Sequence, residues 1–249
     1  MPRHNKNLNR LFVDADLSVG HSIKLDKGQT NYLLNVMRKK EGDQLILFNG
    51  RHGAFLATIT DAHRKGVTLE LVELVSEQSE PSDLWYFFAP LKVGRLDYMM
   101  QKATEMGVGH LQPVMTQYTQ NVRLKFDKIE PNLIEAAEQC EILNIPKVHE
   151  QTKLNELLDN WSVNHKDRKL LFADEAAKSG NVVSDLSKIK DQPIALLIGP
   201  EGGFSDEERS ALLSKDFCVP ISLGPRILRA DTAAVAGLAI VQSIIGDLR

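Results

Sequence analysis

The stretch LLIGPEGGFSDEE, residues 196–208, runs from an apolar strand through a glycine turn into a helix. Ser205 and Glu208 form an S-x-x-E capping box, so the helix starts at about Ser205 and the turn is GPEGGF, residues 199–204. Glycine turns between a strand and a helix often cradle phosphate on their N–H groups. This one lacks the Lys-Ser/Thr of a Walker loop and the spacing G-x-G-x-x-G. Glu201, in its middle, opposes an anion. A ligand with an adenine, a ribose and a positive centre tolerates that carboxylate, and S-adenosylmethionine is such a ligand. The alternative is a tight turn whose glycines only supply unusual backbone angles.

A second strand ends the same way. Ile198-Gly199-Pro200 is followed by Leu223-Gly224-Pro225 in LGPRILRADTAA. Ligands of parallel α/β folds sit beyond the carboxyl ends of strands, where two prolyl turns form a rigid clamp. The last helix, roughly Asp231 to Gly246, is apolar nearly all round. Such a helix is either central to the core or packed on a second subunit.

Outward from these loops the chain divides by rhythm. Residues 11–13, 21–25, 44–48, 54–60 and 67–75 read as short strands separated by turns such as Asn49-Gly50 and Lys65-Gly66. Between the second and third lies a helical stretch with Tyr32, Leu33, Val36 and Met37 on one face and Arg38, Lys39 and Lys40 closing its last turn. These elements suggest a small β-barrel over residues 1–75. Residues 76–83, SEQSEPSD, read as a linker. In residues 84–249 strands at 85–90, 110–114, 169–174, 193–198 and 217–223 alternate with helices, including 95–108 and 127–141. That pattern predicts an α/β domain with a mostly parallel sheet covered on both faces.

Charge follows the same division. Residues 1–75 carry 11 Lys and Arg against 8 Asp and Glu; residues 76–249 carry 19 against 25, and the whole chain is −3. A basic module on an acidic body fits a polyanion-binding appendage, with chance as the alternative. The 249 residues hold no apolar run long enough for a bilayer, and the start, MPRHNKNLNR, is polar. A cytoplasmic protein is expected. Cys140 and Cys218 lie far apart, and neither CxxC nor HxxxH occurs, so neither a disulfide nor a metal site is expected.

IGPEGGFS-x-x-E followed by LGPRILR-x-[ED]-TA resembles the RsmE family of small-subunit ribosomal RNA uridine N3-methyltransferases, within the SPOUT superfamily. Lys92, Arg95, Asp97, Gln101, Lys102, Glu105, Gly107 and Val108 fit the family's K-x-x-R-x-[DE]-x-x-x-Q-K-x-x-E-x-G-V. EAAEQC with Pro146, Arg10 with Phe12, and Val36-Met37-Arg38 extend the likeness over almost the whole chain. The resemblance implies a PUA-like barrel for RNA, a C-terminal domain with a trefoil knot, a homodimer, S-adenosylmethionine as cofactor and 16S ribosomal RNA in the small subunit as substrate. It places the cofactor against Leu171, Phe172 and Ala173, against Ile198, Gly199, Pro200, Glu201, Gly202 and Gly203, and against Leu223, Gly224, Ile227, Leu228 and Thr232.

The chemistry asks mainly for alignment of an activated methyl group with the uracil N3. A cation near the uracil carbonyls stabilises the developing anion. Arg229 is the candidate, held by Asp231 or Glu201; a salt bridge at a helix start is the alternative. Arg10, Arg38, Lys92, Arg95, Lys102 and Arg226 are candidate RNA contacts. The chain departs from the family at Tyr32 (usually His), at Tyr118 and Ile142 (commonly Arg) and at Asp231 (Glu). The two tyrosines offer base stacking in place of charge. Alternative readings are a methyltransferase of this fold acting on another RNA, and a catalytically silent ribosome-assembly protein. The intact cofactor loops count against the second.

Overall fold

The computed structural model describes residues 8–119, 124, 126–177 and 182–248. The chain divides into two units: Met1–Glu80 with Ala137–Ile145, and Pro81–Ala136 with Pro146–Arg249.

The first unit is built on strands β1 (Arg10–Phe12), β2 (Ser22–Lys24), β3 (Gln44–Phe48), β4 (Ala54–His63) and β5 (Gly66–Ser76), in the order β1-β3-β4-β5-β2. All neighbours are antiparallel except β1 and β3, and the long β4–β5 ladder carries three register shifts. Such shifts bend a sheet, here around a core that includes Leu11, Leu33, Leu45, Leu47, Ile59 and Leu69.

Helix α1 (Lys27–Asn31) starts at a capping box between Asp26 and Gln29, then widens into a π-helical turn over Tyr32–Val36. The extra residue in that turn rotates the expected face. Leu33 is fully buried, but Val36 is turned out to solvent, and Arg38 follows at φ 55° outside the helix.

Residues 77–84 carry no strand or helix, and the boundary between the two units, after Glu80, falls inside the expected linker. Ser76 ends β5. The Gln78 amide receives the Gly53 N–H at 3.0 Å and donates to Asn144 Oδ1 at 2.7 Å, while Asn144 Nδ2 donates to Ser79 Oγ at 2.9 Å. Residues 137–145 therefore belong to the first unit, not to the region 84–249. Ala137 and Leu143 fill a second apolar cluster with Ile46, Phe48, Ala54 and Leu56.

The second unit holds β6 (Trp85–Phe88), β7 (His110–Met115), β8 (Lys147–Val148), β9 (Thr152–Lys153), β10 (Lys169–Ala173), β11 (Ile194–Ile198) and β12 (Cys218–Ile221). The sheet is parallel in the order β12-β10-β11-β6-β7-β8, with β9 also beside β7. Its helices are α2 (Val93–Glu105), α3 (Phe126–Gln139, entering from this unit), α4 (Leu154–Asp159), α5 (Trp161–Asn164), α6 (Val182–Ser187), α7 (Asp206–Leu213) and α8 (Ala230–Ile244). Strand residues alternate between faces. Phe87, Phe172 and Leu197 pack with Leu157, Trp161 and Leu212 of α4, α5 and α7. The opposite face carries α2 and α8.

Helix α8 is not buried all round: Gly237, Leu238 and Val241 are buried, whereas Val235, Ala239 and Ile240 are half-buried. Its close approach to β11 depends on Gly237, where an added Cβ would lie 2.9 Å from Leu196 Cδ2. Gly237→Val should lower the unfolding free energy by about 3 kcal/mol through overpacking, read from a urea denaturation midpoint.

At the amino ends of β6 and β7, the His110 and His149 rings both stack on Trp85 at 4.4 Å, with His110 Nδ1 and His149 Nε2 3.0 Å apart. His165 meets Trp85 edge-on at 4.8 Å. Burial, reinforced by Arg168, Lys147 and the neighbouring imidazoles, pushes His149 and His165 down to about 4 and lowers His110. The unfolded chain binds the His149 and His165 protons near pH 6.5, the folded chain only near 4. Stability is therefore complete above 6.5 and falls as the pH drops toward 4. A thermal midpoint followed from pH 7 to pH 4 should show that fall, and His149→Gln should flatten it.

Among the described residues no helix is long and apolar enough to cross a membrane, and no group of three His, Cys, Asp or Glu is placed to hold a metal ion.

Candidate functional site

The loops after β10, β11 and β12 enclose a cavity of about 470 Å³ at the carboxyl edge of the sheet. This is the size of a small-ligand site.

Of the expected cofactor contacts, Ala173, Ile198, Gly199, Pro200, Glu201 and Gly203 line it from the first two loops. Leu223, Gly224, Ile227 and Leu228 line it from the third. Four do not. Leu171 and Phe172 are fully buried in the sheet, because the residue that ends β10, Ala173, is the one that reaches its edge. Gly202 faces Tyr118, and Thr232 is exposed on α8 outside the lining.

The turn after β11 closes through the Gly203 N–H donating to Pro200 O at 2.9 Å, with Gly203 at φ 71°. Gly224 holds the other prolyl loop at φ 102°. Both conformations favour glycine. The capping box is formed in both directions: Ser205 Oγ accepts the Glu208 N–H at 3.2 Å, and Glu208 Oε2 accepts the Ser205 N–H at 3.0 Å. These bonds occupy donors at the start of α7 that a phosphate would otherwise use, and Asp206, Glu207 and Glu208 fill its first turn.

Among the described residues, four carboxylates, Asp174, Glu175, Glu201 and Asp206, line the cavity against two guanidiniums, Arg209 and Arg226. The nearly buried Asp174 takes Arg209 in a fork, with Nη2 to Oδ2 at 2.9 Å and Nε to both oxygens at 3.1 Å. Hydrogen bonding to Asp174 raises the Arg209 pKa above its ordinary value. Arg95 Nη1 lies 3.2 Å from Glu201 Oε1. With these two pairs balanced, Glu175 and Asp206 outweigh Arg226. The lining suits a cationic ligand and disfavours a phosphate.

The expected catalytic group is only partly assembled. Arg229 is the N-cap of α8, exposed and outside the lining. Among the described residues it forms no ion pair with Asp231 or Glu201. Asp231 accepts the Thr232 N–H at 2.9 Å, and Glu201 is engaged by Arg95.

The expected RNA contacts separate too. Arg10 is buried on β1, its guanidinium 5.2 Å from the Phe48 ring centre, with Nε and Nη2 unpaired and its pKa lowered by burial. A group so enclosed does not meet a phosphate. Lys102 is neutralised by Glu105 at 2.6 Å. Arg38, Lys92 and Arg226 are exposed. Arg226, expected on RNA, lines the cavity.

Asp174, Glu175, Asp206 and Arg209 are charged site residues that motif reading passed over. Asp174 and Glu175 stand directly after the strand KLLFA, at the same edge as the two prolyl turns.

Two family models match. The RNA methyltransferase domain covers residues 78–242, and the RNA methyltransferase PUA domain covers residues 25–72. The chain is 30% identical over 236 residues to ribosomal RNA small subunit methyltransferase E of Rickettsia conorii, covering 94% of this chain and 95% of that one. It is similar to the crystal structure of the Neisseria gonorrhoeae ribosomal RNA small subunit methyltransferase E bound to S-adenosyl methionine, with a TM-score of 0.85 and 26% identity over 97% of this chain and 100% of that one. A methyltransferase of Legionella pneumophila in complex with the same cofactor superposes with a TM-score of 0.77 and 29% identity over 95% and 97% of the two chains.

Proposed function

The chain belongs to the RNA methyltransferase family of the ribosomal RNA small subunit methyltransferases E, and from that premise we propose that it methylates N3 of one uridine in 16S ribosomal RNA with S-adenosylmethionine. The observation that carries the reading is the cavity at the carboxyl ends of β10, β11 and β12, with its surplus of carboxylate and its capped helix start.

The residues present fit this cofactor. Gly199 and Gly203 leave backbone bare at the lining, where an added Cβ would approach the Phe204 ring at 3.0 Å and Glu175 Oε1 at 3.2 Å. Ile198, Leu223 and Leu228 offer apolar walls, and Glu175 and Asp206 supply the negative field. Bound there, the cofactor supplies a methyl group already activated on a sulfonium. The protein's part is to align the uracil and stabilise charge on its carbonyl oxygens as the N3 proton leaves. Arg229, without a carboxylate partner among the described residues, keeps its donors for that task. The N3 edge is hidden in a duplex, so the target uridine is unpaired or flipped out.

The trefoil threading belongs to the same proposal. It is supported by the route of the chain, which passes from β11 to the sheet edge at β12 and returns as α8 against β11 and α2. So does a homodimer, supported by the half-buried apolar face of α8 and by Ile227, 89% exposed at the cavity. A cytoplasmic setting follows from the ribosomal substrate.

The test is transfer of labelled methyl from S-adenosylmethionine to small ribosomal subunits from a strain lacking the endogenous enzyme. Transfer to the ribosomal RNA is expected. Cofactor binding without transfer to any RNA of the subunit would favour a silent assembly protein.

A further inference from the structure

The turn after β7 brings an aromatic residue against the glycine turn whose Glu201 and Gly203 line the cavity. Tyr118 is 50% exposed and lies against Gly202, whose added Cβ would stand 3.1 Å from Tyr118 Cβ and 3.5 Å from its Cγ. Gly202 is not among the glycines with positive φ. What residue 202 requires is therefore the space that the tyrosine occupies, not a special backbone.

The turn itself is firmly tied. Thr119 Oγ1 accepts the Thr116 N–H at 2.9 Å and lies 2.8 Å from Thr116 Oγ1, and the Thr119 N–H donates to Thr116 O at 3.1 Å. The Gln117 N–H donates to Glu208 Oε1 at 2.8 Å, joining this turn to the capping box of α7. The neighbours of Gly202, Glu201 and Gly203, both line the cavity, and Arg95 neutralises Glu201. The result is a half-exposed ring on a rigid support, one residue from the lining, beside a carboxylate whose repulsion of an RNA strand is cancelled.

We propose that Tyr118 is a positioning residue for the RNA substrate, taking the face of a base next to the target uridine by stacking. The inference rests on the methyltransferase reading above. An aromatic face accepts any base, so Tyr118 contributes hold and alignment, while identity of the site is read elsewhere. A tied turn loses little freedom on binding, which makes the ring an effective platform.

The test is steady-state methylation of small ribosomal subunits by the full chain, with cofactor affinity measured by calorimetry and folding by thermal midpoint. Tyr118→Ala should raise KM for the subunits about tenfold, the size of one base–aromatic stack. Cofactor Kd and thermal midpoint should stay unchanged. Tyr118→Phe and Tyr118→Trp should restore the wild-type KM, and the salt dependence of KM should be the same in all variants, because no phosphate contact is lost. A wild-type KM in Tyr118→Ala would overturn the proposal. So would a loss that appears equally in cofactor Kd, which would make the ring a prop for the glycine turn. If the wild-type chain transfers no methyl group to these subunits, the methyltransferase reading itself fails, and the inference falls with it.

Discussion

Arg229→Ala is expected to lower kcat for methyl transfer by about a hundredfold, the usual value of one preorganised donor to a developing oxyanion. Cofactor Kd should remain within about twofold, because Arg229 does not line the cavity. The argument starts from what Arg229 does not do. It is exposed, forms no ion pair among the described residues and provides no side-chain cap for α8. Its five N–H donors are therefore open to a substrate. The helix it opens turns Ala230 and Ala233 toward the cavity, so the guanidinium and the positive end of α8 act on neighbouring space. Arg229→Lys keeps charge but loses the planar fork, and should recover only part of the rate. Stability should change by no more than about 0.5 kcal/mol, as for exposed substitutions. Single-turnover kinetics decide the matter. A defect confined to KM would move the catalytic role away from Arg229, with Arg226, which lines the cavity, as the next residue to test.

Gly203→Val should raise the cofactor Kd by about two orders of magnitude. Gly203 sits at φ 71°, a region where a β-branched residue is a genuine outlier. Holding valine there costs on the order of 1–3 kcal/mol. Relief by rotating the backbone would break the bond from the Gly203 N–H to Pro200 O that closes the turn. The new side chain would also press on Glu175, whose Oε1 is 3.2 Å from the ideal Cβ position. Strain and intrusion therefore act on the same loop, while the sheet beneath is untouched. Calorimetry should show the loss of affinity with only a small drop in urea midpoint. An unchanged Kd would remove the turn from the cofactor site.

Much of this architecture was legible because its physics is local. The alternating strands of the first unit, the continuous apolar strands of the second, the inward face of α2 through Leu96, Met99, Met100 and Ala103, and the reciprocal cap at Ser205 and Glu208 are each written within a few residues. What could not be read is set by partners distant in sequence. Val36 was expected inward, but the π-helical turn that expels it leaves no periodic mark. Arg10 reads as a surface cation, yet the chain brings Glu138, Glu141 and Phe48 around it and encloses it. Residues 137–145 are the end of an amphipathic helix and the irregular segment after it, and an apolar face does not say which unit will receive it. In the site, the two Gly-Pro turns drew attention by composition. Asp174 and Glu175 carry no motif, although the rule that selected those turns, the carboxyl edge of a parallel sheet, applies to them equally.

The most direct measurement is the identity of the methylated nucleoside. Small ribosomal subunits lacking the modification would be incubated with the full chain and methyl-labelled S-adenosylmethionine, and their RNA digested for mass spectrometry. The account predicts label in 3-methyluridine alone, at one position of the 16S ribosomal RNA. Label in a 2′-O-methyl ribose, in another base, or in no nucleoside at all would contradict it.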